Sequence, residues 1–196
     1  MGNLGSIHNM LRRVGAESSI TSDLDQIRRA DKLILPGVGA FDAAMRNLAR
    51  LGLVPVLNEQ VLERRIPILG ICLGMQLLTR GSEEGRLSGL GWIDADTVRF
   101  DLRDHPNLRL PHMGWNRIRL CREGSILDGV ADVERFYFVH TYHVRCHQPQ
   151  DVLAVADYGM TFHAAVISAN IVGTQFHPEK SHKFGLRVLA NFAASR

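Results

Sequence analysis

The sequence predicts an α/β fold: an open, mostly parallel sheet flanked by helices, with additional antiparallel strands. Three observations predict it. Strand-like and helix-like segments alternate over the first two-fifths of the chain, as in a parallel sheet with crossover helices. One of those strands, the most apolar, runs into a helix through a glycine-flanked cysteine, placing a reactive side chain at the carboxyl end of a strand, where open α/β sheets carry their sites. From Gly89 onward the pattern turns to successive strands with short connections, which need antiparallel neighbours. The length of 196 residues suits one domain, residues 1–196, with a substantial core.

In chain order, residues 4–14 place apolar side chains at helical spacing and read as a helix. A short strand is expected near residues 18–20, and residues 32–35 form a strand that stops at Pro36-Gly37, where the proline lacks an N–H for the ladder. Residues 40–48 and 54–65 are helical. Residues 66–70 are apolar almost without a break, the mark of a strand buried on both faces, and residues 75–79 begin a helix. Strands follow at 92–100, 116–120, 136–144 and 152–158. Residues 162–167 and 171–176 form a hairpin around Ser168-Ala169-Asn170, and a helix over 184–194 closes the domain. Residues 82–88, rich in Gly, Glu and Ser, are the expected mobile loop. The sequence contains no repeat, low-complexity tract or linker.

Composition excludes several classes. The net charge of +3 comes from scattered Lys and Arg with pairs no longer than Arg12-Arg13, Arg28-Arg29 and Arg64-Arg65, so the charges read as solvated faces and no nucleic-acid partner is expected. Three cysteines without regular spacing suit a reducing cytosol, and the absence of a spanning apolar run or signal peptide points to a cytoplasmic protein without membrane association. Met1-Gly2-Asn3-Leu4-Gly5-Ser6 fits an acylation pattern, but the same residues open the first helix, and that role is preferred. His140, His143, Cys146 and His147 are crowded like metal ligands. On one strand His140 and His143 would face opposite ways, and no second pair completes a site, so neither metal nor cofactor is expected.

The chemistry centres on Gly70-Ile71-Cys72-Leu73-Gly74. A strand that turns sharply into a helix with a nucleophile at the turn is a nucleophile elbow, with Cys72 where hydrolases of the Gly-x-Ser-x-Gly type carry Ser. The helix N-terminus favours an anionic sulfur there, and the Leu73 N–H would face a developing oxyanion. On this segment alone a buried structural cysteine fits equally well. A second segment decides between them. His177 and Glu179 lie just past a strand, with Pro178 between them keeping His177 out of helix. In extended chain residues i and i+2 point the same way, so Glu179 reaches back to orient His177 as a base. A cysteine elbow with a His–Glu pair is a nucleophile, a base and an orienter.

Taken together, LGICLGMQ at 69–76, PGVGAF at 36–41, PHMGWN at 111–116, YFVHTYH at 137–143 and GTQFHPEKS at 173–181 resemble the class I, or triad, glutamine amidotransferases, whose fold is flavodoxin-like. The PGVGAF and PHMGWN segments narrow the resemblance to the glutaminase subunits of imidazole glycerol phosphate synthase in histidine biosynthesis, over nearly the whole chain. Members of that family begin with a short strand running into Gly-Met-Gly-Asn-Leu. This chain starts at Met1-Gly2-Asn3-Leu4, so that first strand is expected to be missing, which would uncover an edge of the sheet.

The resemblance implies that Cys72 attacks the side-chain amide of glutamine, that His177 carries the protons and that Glu179 orients it. The oxyanion donors would be Leu73 and an N–H of the Pro36–Gly39 loop, either Val38 or Gly39, with Gly37 beside the substrate. Gln76, Glu84 and the backbone of His140, Thr141 and Tyr142 would hold the glutamine, with Glu84 on its α-ammonium. Glu84 could equally be an exposed loop carboxylate, and His140 is a second-choice base. The implied partner is a (βα)8-barrel cyclase that receives ammonia through a channel, docking on Met113, Trp115, Asn116, Tyr137 and Lys180. Trp115 could equally be a core tryptophan. Three other readings compete: a glutaminase serving another acceptor such as a sugar amidase, a Cys peptidase or γ-glutamyl hydrolase on the same fold, and a silent binding module, against which the intact Cys72, His177 and Glu179 argue.

Overall fold

The structure, a computed structural model, describes residues 4–123, 125–131 and 133–195; Met1-Gly2-Asn3, with the acylation match and turn read there, lie outside the described residues. The elements run α1 (Leu4–Arg13), α2 (Leu24–Arg28), β1 (Leu33–Gly37), α3 (Phe41–Arg50), α4 (Leu53–Asn58), β2 (Ile68–Cys72), α5 (Leu73–Leu77), β3 (Ala95–Arg99), β4 (His112–Arg117), β5 (Arg119–Leu120), β6 (Arg135–His140), β7 (Tyr142–Cys146), β8 (Val152–Asp157), β9 (Thr161–Ser168), β10 (Ile171–Thr174) and α6 (His182–Ala194).

Five fully buried residues make β2 the middle of the parallel part, flanked by β1 and β10. The sheet continues antiparallel through β9, β7 and β3, with β8 on β9 and β5 on β8, while β4 and β6 form a separate two-stranded ribbon. Among the strands of the described residues, parallel pairing is confined to β1, β2 and β10, and the carboxyl end of β2 carries the elbow. Side chains alternate across β2: Leu69 and Ile71 join a core with α1 and α6 (Ile7, Leu11, Val188, Leu189, Phe192), and Ile68 joins a second core with α3 and α4 (Phe41, Met45, Val56, Leu57). Helices on both faces bury the sheet, as an apolar β2 requires. Among the described residues no helix is long and apolar enough to cross a membrane.

Several expectations are corrected. Residues 18–20 form no strand: the side chains of Glu17, Ser19 and Ile20 are exposed, and the Ser18 hydroxyl meets His8 Nδ1 at 2.8 Å. The five-residue α2 was not anticipated because it is too short to show periodicity; its start is marked by Asp23, whose carboxylate accepts the Gln26 N–H at 2.8 Å. The helix expected over 54–65 is α4 followed by a π-helical turn, Glu59–Glu63. Two expected strands break in two, at Ile118 and at Thr141, and their halves enter different sheets. His140 and His143 therefore do not point to opposite faces of one strand; both rings pack on Phe100, at 5.2 and 4.7 Å. The segment 82–88 is tied down rather than loose. Asp42 accepts the N–H groups of Arg86 and Leu87, Glu83 accepts that of Arg99, and Gly81 bridges Ser88.

Candidate active site

The elbow is built by steric necessity. Cys72 has φ 55° and ψ −111°, a conformation that costs a non-glycine residue energy and that recurs at reactive positions. A Cβ on Gly74 would lie 1.7 Å from the Leu35 carbonyl oxygen, and one on Gly70 would lie 2.8 Å from backbone atoms of Gly74 and Met75. Only glycine at both positions lets α5 turn back this closely over β1 and β2. Cys72 thus projects from the end of β2, with Leu73 as the first residue of α5 and its N–H among those free of intrahelical partners. Gly37 is the register partner of Cys72, so the loop that follows, Val38 and Gly39, starts beside the sulfur. Gly39 has φ 100° and Val38 is exposed.

His177 is set by a second construction. Its Nδ1–H donates to Glu179 Oε1 at 2.8 Å, and both side chains are buried. Pro178–Lys180 form a 3-10 turn, so Glu179 returns to His177 by that turn and not along an extended strand as expected. The turn is clamped to β6. The His177 N–H donates to Tyr137 O at 2.9 Å, the Tyr137 N–H to Ser181 Oγ at 3.0 Å, and the Ser181 hydroxyl to His177 O at 2.7 Å. Ser181 was missed by sequence reasoning because its role is visible only once β6 lies alongside.

The Cys72 sulfur and His177 share one site. Nε2 of His177 is buried and makes no hydrogen bond of its own, and the Cys72 sulfur is among the groups that act on its proton. Burial pushes the His177 pKa down, but the hydrogen-bonding influence of Cys72 and Glu179 and their charges outweigh it and raise it to about 9. The imidazole therefore holds a proton on each nitrogen at neutral pH, the one on Nδ1 fixed on Glu179. Around the sulfur, Gln175 Nε2–H donates to it at 3.8 Å and Val139 O lies 4.0 Å from it. Of the other cysteines, Cys121 is exposed and Cys146 is pushed up to about 12, chiefly by burial.

The remaining predicted residues divide. Gln76 is buried beside the elbow, but its amide N–H groups are both engaged, with Tyr142 O and Gln175 Oε1 at 3.1 Å each, leaving only its Oε1 for a ligand. Glu84 is not a free loop carboxylate: Oε2 accepts the Phe41 N–H at 2.8 Å and so caps α3. Thr141 O accepts the Phe100 N–H at 3.3 Å. His140 has both ring nitrogens occupied, by Tyr142 O and by His112, each at 2.9 Å, which removes it as an alternative base. Met113 and Trp115 project from one face of β4, 61% and 43% exposed, so Trp115 is not a core tryptophan. Its ring stacks on His182 at 5.2 Å and meets Tyr137 edge-on, and the Lys180 ammonium sits 5.5 Å over the Tyr137 ring. Asn116 turns the other way and donates to Asp157 O at 2.9 Å. Among the described residues no group of three or more His, Cys, Asp or Glu is arranged to hold a metal ion.

Comparison with known proteins gives consistent findings. The sequence profile of the class-I glutamine amidotransferases matches residues 2–195. The HisH 2 subunit of imidazole glycerol phosphate synthase from Pseudomonas aeruginosa is 52% identical over 98% of this chain and 94% of its own length. The HisH 2 subunit from Methanococcus maripaludis is 50% identical with the same coverage of each chain. A solved glutamine amidotransferase superposes with a TM-score of 0.74 at 19% identity, over 99% of this chain and 95% of its own. The glutaminase domain of a Trypanosoma brucei CTPS superposes with a TM-score of 0.65 at 16% identity, over 98% and 87%. These two distant structures share the fold.

Proposed function

Because the chain belongs to the class-I glutamine amidotransferase family and, within it, to the HisH subunits of imidazole glycerol phosphate synthase, we propose that Cys72, His177 and Glu179 are the triad that hydrolyses glutamine to glutamate and ammonia. The chain is a glutamine amidotransferase subunit of that synthase, in histidine biosynthesis. Relatives between 41% and 52% identical over nearly the full length are HisH subunits, so the readings as a sugar-amidase glutaminase, a Cys peptidase or a γ-glutamyl hydrolase are not favoured. As a subunit it has a partner subunit.

In the proposed cycle the Cys72 thiolate attacks the amide carbon and the carbonyl electrons move onto oxygen. The Leu73 N–H and one N–H of Val38 or Gly39 receive that oxyanion. Collapse expels the amide nitrogen as ammonia with the proton from His177 Nε2, leaving a γ-glutamyl thioester. Neutral His177 then takes a proton from water, whose oxygen attacks the thioester. The second collapse returns the sulfur as thiolate and releases glutamate. Glu179 fixes the tautomer and steadies the imidazolium throughout. The free Glu84 oxygen takes the α-ammonium of glutamine, Gln76 Oε1 accepts from its polar groups, and Gly37 with the backbone of residues 140–142 lines the pocket. The partner we propose is a (βα)8-barrel cyclase seated on the ribbon face of Met113, Trp115, Tyr137 and Lys180, with Asn116 at its edge, in a cytoplasmic heterodimer that passes ammonia directly.

The observation that carries the reading is the strained Cys72 elbow beside the buried His177–Glu179 pair. A slow-reacting electrophilic glutamine analogue should label Cys72 and spare Cys121 and Cys146, and Cys72→Ala should abolish glutaminase activity with the fold intact. Even labelling of the three cysteines, or a Cys72→Ala protein that still releases ammonia, would overturn it.

A further inference from the structure

Behind the site lies a chain of polar groups inside an aromatic cluster. His112, in β4, is 4% exposed, and His140, in β6, is 5% exposed. Their rings are joined at 2.9 Å between His112 Nδ1 and His140 Nε2. Beyond His140, its Nδ1 lies 2.9 Å from the Tyr142 carbonyl oxygen. Beyond His112, its Nε2 lies 3.3 Å from the amide nitrogen of Asn116. The rings pack among aromatics, His112 stacked at 4.2 Å on Tyr158 and 5.0 Å on Phe138, and His140 at 5.1 Å from Phe162.

The direction of every bond follows from what each atom can do. A carbonyl oxygen only accepts, so His140 Nδ1 carries the proton. Burial drives both rings to the neutral form, His112 down to about 4 and His140 to about 3, so each ring has one N–H and one bare nitrogen. His140 Nε2 is then bare and accepts the Nδ1–H of His112. His112 Nε2 is in turn bare and accepts from Asn116. Both rings are held as the Nδ1–H tautomer. The chain does not stop at Tyr142. Its carbonyl also accepts Gln76 Nε2–H at 3.1 Å, Gln76 donates its other N–H to Gln175 Oε1, and Gln175 donates to the Cys72 sulfur.

We propose that His112 and His140 are positioning residues for glutamine hydrolysis: a one-directional hydrogen-bond relay from Asn116 on β4 fixes the Tyr142 carbonyl, and through it orients Gln76 and Gln175 around the Cys72 sulfur. The proposal rests on Cys72 being the nucleophile. Holding the relay needs a donor on the Nδ1 side of His112, which Asn supplies and Phe does not. Phe keeps the stacking on Phe138 and Tyr158.

The test uses the full-length chain with its partner subunit, glutamine turnover being followed in parallel with imidazole nitrogen NMR. In the wild type, both rings should show a protonated Nδ1 and a bare Nε2 at neutral pH, the reverse of the tautomer favoured by free histidine. A protonated Nε2 on either ring would overturn the relay, and this measurement stands whether or not the chain is a glutaminase. His112→Phe should lower kcat about tenfold while the KM for glutamine changes less than about twofold, and His112→Asn should restore most of the rate. His143→Phe, in the same aromatic cluster but off the relay, should turn over like the wild type. A His112→Phe enzyme at the wild-type rate would sink the proposal. So would His112→Asn or His143→Phe enzymes as slow as His112→Phe, since packing and not the donor would then set the rate.

Discussion

At the scale of single residues the site depends on one raised basicity. His177 holds its proton up to about 9 because Cys72 and Glu179 together outweigh the burial that would strip it. Two consequences follow. A folded-state pKa above the ordinary value of 6.5 contributes stability that is fully present below that value and is lost as pH rises toward about 9. Glu179→Gln removes one raising influence, so wild type and variant should differ most in thermal stability near pH 6 and converge above pH 9. The catalytic consequence has the same sign. In the proposed cycle acylation needs the proton on His177, so its rate should fall as pH rises through about 9, and Glu179→Gln should move that fall to lower pH. Rapid-mixing ammonia release across pH, with an NMR titration of His177, measures both. A descending limb that stays in place in Glu179→Gln would show that the carboxylate does not set this proton. The three residues proposed as the triad could be picked out in the sequence because their spacing is local: a glycine-flanked cysteine at a strand end, and His and Glu two residues apart. Gln175, Ser181 and His112 were not, since each matters only through a neighbour distant in sequence.

At the scale of elements, close approach explains why particular backbones meet where they do. The His177 turn is backed by α6, and a Cβ on Gly185 would sit 1.8 Å from the Pro178 carbonyl oxygen. Gly→Ala in a helix gains roughly 1 kcal/mol of propensity, whereas forcing a packed backbone apart costs about 1–3 kcal/mol. The steric term should win. Gly185→Ala is expected to lower the unfolding midpoint and to cut turnover at least tenfold, because the displaced carbonyl belongs to the turn that aims Glu179. Thermal unfolding with steady-state assays checks it, and an alanine variant as stable and active as the wild type would mean that α6 moves away freely. The elements themselves were read well where periodicity is long or the turn chemistry plain, as for α1, α6, β8 and the β9–β10 hairpin. The reading failed where a continuous strand-like run changes sheets. Nothing in residues 136–144 marks the break at Thr141, because both halves mix buried and half-buried residues and only the partner strands differ. The tight 82–88 segment was misread for a related reason: its polar composition is that of a loop, but Asp42 and the α3 N-terminus supply the partners that hold it.

For the molecule as a whole, the two tryptophans separate folding from assembly. Trp92 is 8% exposed, and its indole N–H donates to Asn58 Oδ1 at 2.8 Å, tying the segment before β3 to the end of α4. Trp115 is 43% exposed on the β4–β6 ribbon, where Met113 beside it is 61% exposed. A large aromatic left open next to an exposed methionine is poorly explained by the packing of an isolated chain. It fits an anchor at the centre of an interface. The same ribbon reaches the chemistry, since Tyr137 in β6 receives the His177 N–H. Sequence reasoning could name these residues but not their placement, because exposure depends on a sheet order that joins strands far apart in the chain. The two substitutions should therefore act in opposite ways. Trp92→Ala should cost about 3–5 kcal/mol of stability, the usual penalty for emptying a buried aromatic site. Trp115→Ala should leave the unfolding midpoint of the isolated subunit nearly unchanged. It should weaken binding of the partner subunit by about 2 kcal/mol or more, at least about thirtyfold in Kd, as loss of an interface anchor does. Calorimetric unfolding of each variant and titration with the partner subunit distinguish the cases. If Trp115→Ala bound the partner as tightly as the wild type, the docking face would have to lie elsewhere on the molecule. The open aromatic ribbon would then be left to steady the His177 turn through its stacking on His182, a role that belongs to the single chain.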